Sequence, residues 1–143
     1  MYKHLFIVLL LFCSMNGFSQ NKDHILGKWL NATGEAHIQI YASGNKFFGK
    51  LVWLKEPLDA YGKPKLDKEN PHNELNKRPI LGLVFLKDFI YKEGIWEGGT
   101  IYDPKTGKTY SCKISAEGKN KINVRGFVGF SLLGRTETWT RVE

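Results

Sequence analysis

Chemistry is first suggested by Gly107-Lys108-Thr109, the letters that close a phosphate-binding loop. Such a loop needs a glycine five positions before its Gly-Lys pair, so that successive backbone N–H groups curl around phosphate oxygens at a helix N-terminus. Tyr102 stands there instead, which removes the nucleotide reading. The residues that follow put Tyr110, Cys112 and Ile114 on one side and Thr109, Ser111 and Lys113 on the other. That is the period of a strand. Residues 103–108 (Asp-Pro-Lys-Thr-Gly-Lys) are then a hairpin turn, with proline fixing one angle and glycine accepting positive φ.

Four more polar residues, Asp67, Asn70, Arg78 and Asp103, lie in or next to irregular chain. A guanidinium held beside a carboxylate at a cavity mouth can grip a polar head group through a bidentate contact. The competing reading is structural: Asp67 and Asn70 cap a short helix, while Arg78 pairs with Asp67 or Asp103 and pins the segment. The balance favours structure. His24, His37 and His72 are scattered, without the spacing of a metal site and without a serine or cysteine partner for a triad. Glu35 and Glu97 can be drawn as paired carboxylates across a cavity, but alternation places them on polar strand faces. Cys112 falls in an apolar row, where a thiol is a small hydrophobe rather than a nucleophile. No catalytic residue, metal ligand or cofactor is assigned.

The elements that would position these residues are nearly all strands. Apolar or alternating runs at residues 25–30, 35–41, 46–54, 80–86, 95–102, 109–114, 122–127 and 136–142 are separated by turn signals. Gly49, inside the third run, marks a bend or bulge. The one long irregular stretch, residues 55–79, holds four of the five prolines. Asn70-Pro71 reads there as cap and first residue of a short helix running through Leu75. About eight strands with short turns predict an all-β, antiparallel up-and-down sheet that closes to remove its edges. Eight strands make a barrel just wide enough to be filled or to hold one small ligand.

The first residues, "MYKHLFIVLLLFCSMNGFSQ", combine Lys3, a short apolar run and small residues at Gly17 and Ser19. This is the pattern of a secretory signal peptide over residues 1–19, which leaves residues 20–143 as one domain. Phe12 before Cys13 argues against lipidation, and no later apolar segment has the length of a membrane span. The expected location is periplasmic or extracellular, with Cys112 unable to form an intrachain disulfide once Cys13 is removed. The formal charge of +7 is spread along the chain. It suits solubility or attraction to an anionic envelope component, and export argues against nucleic acid.

Gly27-Lys28-Trp29 early and Arg141 late resemble the glycine-x-tryptophan and closing arginine of lipocalin-like barrels, in which the arginine stacks over the tryptophan where first and last strands meet. A longer ordered set resembles an uncharacterised secreted bacterial family, domain of unknown function 2147. It comprises Gly27-x-Trp29, Gly49, Asp67-x-x-Asn70-Pro71, Leu75-x-x-Arg78-Pro79-x-x-Gly82, Trp96-x-x-Gly99-x-Ile101-Tyr102-Asp103-Pro104, Gly107-Lys108-x-Tyr110, Arg125-Gly126, Gly134 and Trp139-x-Arg141. The resemblance implies a lipocalin-like barrel behind a signal peptide and no established activity.

These readings converge on an exported β-barrel that holds a small, mostly apolar ligand. Asp67, Asn70, Arg78, Trp53, Trp96, Tyr102, Asp103 and Arg125 are the candidate ligand-binding residues, and Gly27, Trp29, Trp139 and Arg141 the structural ones. The alternative is a filled barrel that meets an anionic envelope partner through its basic surface; an enzyme ranks third. Oligomeric state has no signal in the chain.

Overall fold

A computed structural model describes residues 21–142; the signal peptide expected at residues 1–19 lies outside the described residues. The strands are β1 (Gly27–Leu30), β2 (Ala36–Ser43), β3 (Lys46–Leu54), β4 (Val84–Lys92), β5 (Ile95–Asp103), β6 (Lys108–Glu117), β7 (Lys121–Phe127) and β8 (Gly134–Val142). Each pairs antiparallel with the next, and β1 also pairs with β8, so the eight strands form one closed up-and-down barrel. Alternation selects the inner face: Ala36, Ile38 and Ile40 on β2, Cys112 and Ile114 on β6, and Ile122 and Val124 on β7 are buried. Reversing any one strand's register by a residue would turn such a row to solvent.

Two inward glycines allow close packing between strands. A Cβ on Gly49 would sit 2.7 Å from Leu86 Cδ1, and one on Gly99 would sit 2.6 Å from the Phe89 ring. The strand registers shift beside both positions, as the glycine within the third apolar run predicts.

One end of the barrel is plugged. The 3₁₀ helix Lys22–Ile25 is capped by Asn21, whose side chain accepts from the Asp23 N–H. It drives the fully buried Ile25 into the barrel end. Trp29 Nε1 donates to the Ile25 carbonyl at 2.9 Å, and Trp96 Nε1 donates to the Lys22 carbonyl at 3.0 Å. Arg141 lies 4.3 Å over the Trp29 ring and donates to the Leu26 and His24 carbonyls at 3.0 and 2.7 Å. The expected seam between first and last strands is thus present, and the β1 and β8 ends nearest the termini both lie at this plugged end.

The long connection, residues 55–83, carries no helix. The helix expected from Asn70-Pro71 through Leu75 is replaced by successive turns, with Leu75 N–H donating to the His72 carbonyl and Arg78 N–H to the Leu75 carbonyl. The cause is local. Asn70 Oδ1 takes the His72 N–H, Asp67 N–H donates to the Arg78 carbonyl, and a bridge joins Leu66 to Pro79. With its ends held side by side, the segment closes as a compact loop instead of extending along a helix axis.

Candidate functional site

The barrel interior is divided. Its plugged half is filled by the buried side chains of Trp29, Phe47, Phe89, Trp96, Ile114 and Ile122. The other half is hollow, with a cavity of ≈ 960 Å³ that opens at the mouth. Small inward residues leave room above the aromatic layer: Ala36 and Gly126 line the hollow. A Cβ on Gly126 would meet nothing nearer than Ile101 Cγ2 at 3.5 Å. The floor and lower wall are Ile38, Leu51, Phe85, Val124 and Trp139, with the Phe85 and Trp139 rings 6.2 Å apart.

The rim is charged with both signs. Lys105 pairs with Glu35 at 3.3 Å, and Lys55, whose N–H donates to the Glu35 carbonyl, and Lys65 of the long loop line the same opening. Glu137 stands between rim and floor. One carboxylate oxygen accepts from Arg135, and the other lies 3.4 Å from Trp139 Nε1. The cavity therefore offers an apolar body pocket beneath a band of fixed donors and acceptors. That suits a molecule with an apolar body and a polar end.

Asp67, Asn70, Arg78 and Tyr102 are brought together as a clamp beside the hollow, which only Tyr102 of the four lines. Asp67 is fully buried and accepts from Arg78 Nε at 2.9 Å, Asn70 Nδ2 at 3.0 Å and Tyr102 Oη at 2.6 Å. Burial first, and then the hydrogen bond to the Asp67 carboxylate and its charge, push the Tyr102 hydroxyl up to about 12. The clamp ties the long loop to β5. Beside it, a Cβ on Gly107 would run into the Glu69 carbonyl, so the β5–β6 turn abuts the same loop.

Tyr102 and Asp103 line the cavity edge, although the Asp103 carboxylate is held within its own turn by the Lys105 N–H and the Thr106 hydroxyl. The other candidates stand apart from the hollow. Asp67, Asn70 and Arg78 serve the clamp. Trp53 is exposed on the outer face against His37, ring centroids 4.5 Å apart. Trp96 is sealed beneath the plug. Arg125 donates to the Ser131 carbonyl and the Thr136 hydroxyl, holding the β7–β8 loop. Trp139, expected as structural, is buried and also forms part of the cavity floor.

Lys105, Arg135 and Glu137 were outside the candidate set. Parity in "TETWTRV" carried the signal for one of them: Glu137 shares its row with Trp139 and Arg141, so an inward-facing tryptophan carries Glu137 inward too. The groups weighed for catalysis remain dispersed. His24 Nε2 lies 3.0 Å from the Gly118 carbonyl at the plugged end, while Glu35 sits on the mouth rim and Glu97 opposite Ile90 on the outer strand face. Cys112 is buried, and that burial pushes its thiol up to about 12, far from the thiolate a nucleophile needs. Among the described residues no three His, Cys, Asp or Glu side chains gather as metal ligands.

An eight-stranded antiparallel barrel, plugged at one end, locked by a Trp–Arg stack and hollow at the other, is a lipocalin-like barrel. The chain belongs to the family described as uncharacterized protein conserved in bacteria (DUF2147), whose model matches residues 27–141. It is similar in fold to protein HP1028 from the human pathogen Helicobacter pylori, described as belonging to the lipocalin family. That likeness has a TM-score of 0.72 at 24% sequence identity and covers 82% of each chain. No curated protein matches the chain.

Proposed function

We propose that this protein is an exported carrier or sensor that holds one small, mostly apolar molecule in the hollow half of its barrel, polar end toward the rim. The observation that carries this reading is the ≈ 960 Å³ cavity floored by Ile38, Leu51, Phe85, Val124 and Trp139. Its size is at the upper end of the range of small-molecule sites, about 300–1,000 Å³, and its lining follows their usual composition of apolar walls with a few oriented polar groups. The mixed charges of Arg135, Glu137 and Lys105 favour a ligand whose polar end both donates and accepts over a bare hydrocarbon. Export rests on Lys3, the apolar run after it and the small residues at Gly17 and Ser19. The lipocalin-like architecture supports ligand holding by analogy of fold.

Native mass spectrometry of the protein purified from its own cell envelope tests this directly, followed by denaturation and identification of whatever is released. A reproducible stoichiometric mass increment, lost on denaturation, is the expected result. Protein that emerges bare, and that takes up no fatty acid, sterol or aromatic amphiphile when these are added back, overturns it.

A further inference from the structure

Two loops at the mouth display apolar side chains that the barrel does not cover. The β7–β8 connection carries Val128, Phe130, Leu132 and Leu133, exposed by 65, 76, 88 and 67%. Its backbone is folded, not slack: Val128 N–H donates to the Leu133 carbonyl, Phe130 N–H to the Val128 carbonyl and Leu133 N–H to the Phe130 carbonyl, while Arg125 grips the Ser131 carbonyl at 2.6 Å. The loop therefore presents these side chains from an ordered backbone. The second loop is the small hairpin closed by the Leu58–Pro64 bridge, with Tyr61 87% exposed at its turn. In a closed eight-stranded barrel the β3–β4 and β7–β8 connections leave the same end of the barrel four strands apart.

We propose that the protein docks mouth-first on an anionic membrane surface, burying the tips of these two loops in the outer part of the bilayer and exchanging its ligand with the lipid phase. Three features select this occupant. Contiguous exposed apolar side chains on a loop mark an interaction site, and two separate apolar tips suit a yielding apolar phase better than one rigid partner. Cations flank both tips along the chain: Lys55, Lys63 and Lys65 in and beside the hairpin, Arg125 and Arg135 beside the larger loop. Of the acids among them, Glu56 and Glu137 are ion-paired with Lys65 and Arg135, and Asp59 accepts from the Tyr61 and Lys63 N–H groups of its own hairpin, while the whole chain keeps a formal charge of +7. Apolar loop tips on a chain of net positive charge follow the pattern of interfacial anchoring to anionic lipid. Finally, Val128 and Leu133 also line the cavity, so an apolar surface continues from the floor to the loop tip. The exchange step rests on the ligand-holding reading above; the docking step does not.

The test is co-sedimentation of the purified protein with vesicles of phosphatidylethanolamine and phosphatidylglycerol, against vesicles of phosphatidylcholine alone. The wild type should bind the anionic vesicles, and less so as salt rises. Phe130→Ser combined with Leu132→Ser should weaken binding by at least about tenfold, since both side chains lose their transfer from water to an apolar phase. Its melting temperature and its uptake of cis-parinaric acid in the absence of vesicles should stay as in the wild type, because neither side chain is buried or lines the cavity. Wild type that stays in solution with both vesicle types overturns docking, as does a double variant that binds them equally well. A wild-type dimer that the double variant converts to monomer, without vesicle binding, assigns the loop to a second copy and also overturns it. Vesicle binding without uptake of cis-parinaric acid upholds docking while removing the cavity reading.

Discussion

Replacing Asp67 by alanine separates a structural clamp from a ligand-binding group. The side chain is fully buried and receives three donors, at 2.9, 3.0 and 2.6 Å, from Arg78, Asn70 and Tyr102. Removing one member of a buried ion pair costs about 3–5 kcal/mol, because the remaining charge loses its partner away from water. The Arg78 side chain is 30% exposed and regains some hydration, which lowers that part. The Asn70 amide and Tyr102 hydroxyl then lose their buried acceptor, at about 1–3 kcal/mol for the buried Asn70 and less for Tyr102 at the cavity edge. These contributions share one site and do not add, so the expected loss is about 3–5 kcal/mol in denaturant unfolding. The middle of the connection, around Asp67, is tied to β5 through this clamp, so limited proteolysis should cut there first. Because Asp67 does not line the hollow, the fraction that remains folded should bind ligand with unchanged affinity. A variant within about 0.5 kcal/mol of wild type, with its loop equally resistant, refutes the clamp argument. Reduced affinity at full stability would instead restore Asp67 to the binding site.

The seam predicts that Arg141→Ala loses about 3 kcal/mol, from one stacked cation–π contact and its charged hydrogen bonds to the His24 and Leu26 carbonyls. Trp29→Ala should lose about 3–5 kcal/mol as a buried aromatic, and unchanged melting in both would disprove closure by this contact. Gly126→Val should fill part of the cavity, cutting ligand uptake by at least about tenfold while leaving the melting temperature level or higher, because a strand glycine costs about 0.5–1 kcal/mol; uptake at wild-type affinity would place the ligand elsewhere. Tyr102 sets an alkaline signature. Its hydroxyl is raised from 10.0 to about 12, so the proton is held more tightly in the folded state, and the resulting stability is complete below pH 10 and lost as pH climbs through 12. The gap in melting temperature between wild type and Tyr102→Phe should therefore narrow over that window; a constant gap would contradict it.

The strand count, the closure and the seam were legible because each rests on local signals. Alternation in "EAHIQIY" or "TYSCKI" states which face is buried, and Trp29 with Arg141 anchors the two ends of the chain to each other. Gly49 announced its irregular register in advance. The interior of the barrel was less legible. Register shifts between His37 and Ile38, around Gly49 and between Trp96 and Gly99 change which neighbours share a layer, so a residue's height above the plug cannot be counted along the chain. Trp96 and Trp139 look alike as strand tryptophans, yet one is sealed beneath the 3₁₀ helix and the other floors the hollow. The Asp67 clamp joins residues up to 35 positions apart, and its partners could equally have met at a mouth. The helix expected after Asn70 failed because cap chemistry is shared with turns: the same side-chain bond to a backbone N–H opens either one.

The plug at one end also decides the direction in which the barrel faces whatever it is fastened to. β1 leaves that end, β8 returns to it, and Arg141 joins the two by gripping carbonyls of the 3₁₀ turn. Any linker, fusion partner or solid support attached through either end of the described chain thus pulls on the filled half, where aromatic packing is densest. The hollow half points away from the attachment. Immobilised sensors and tethered fusions of this barrel would keep their opening free toward the solution without redesign of a single loop.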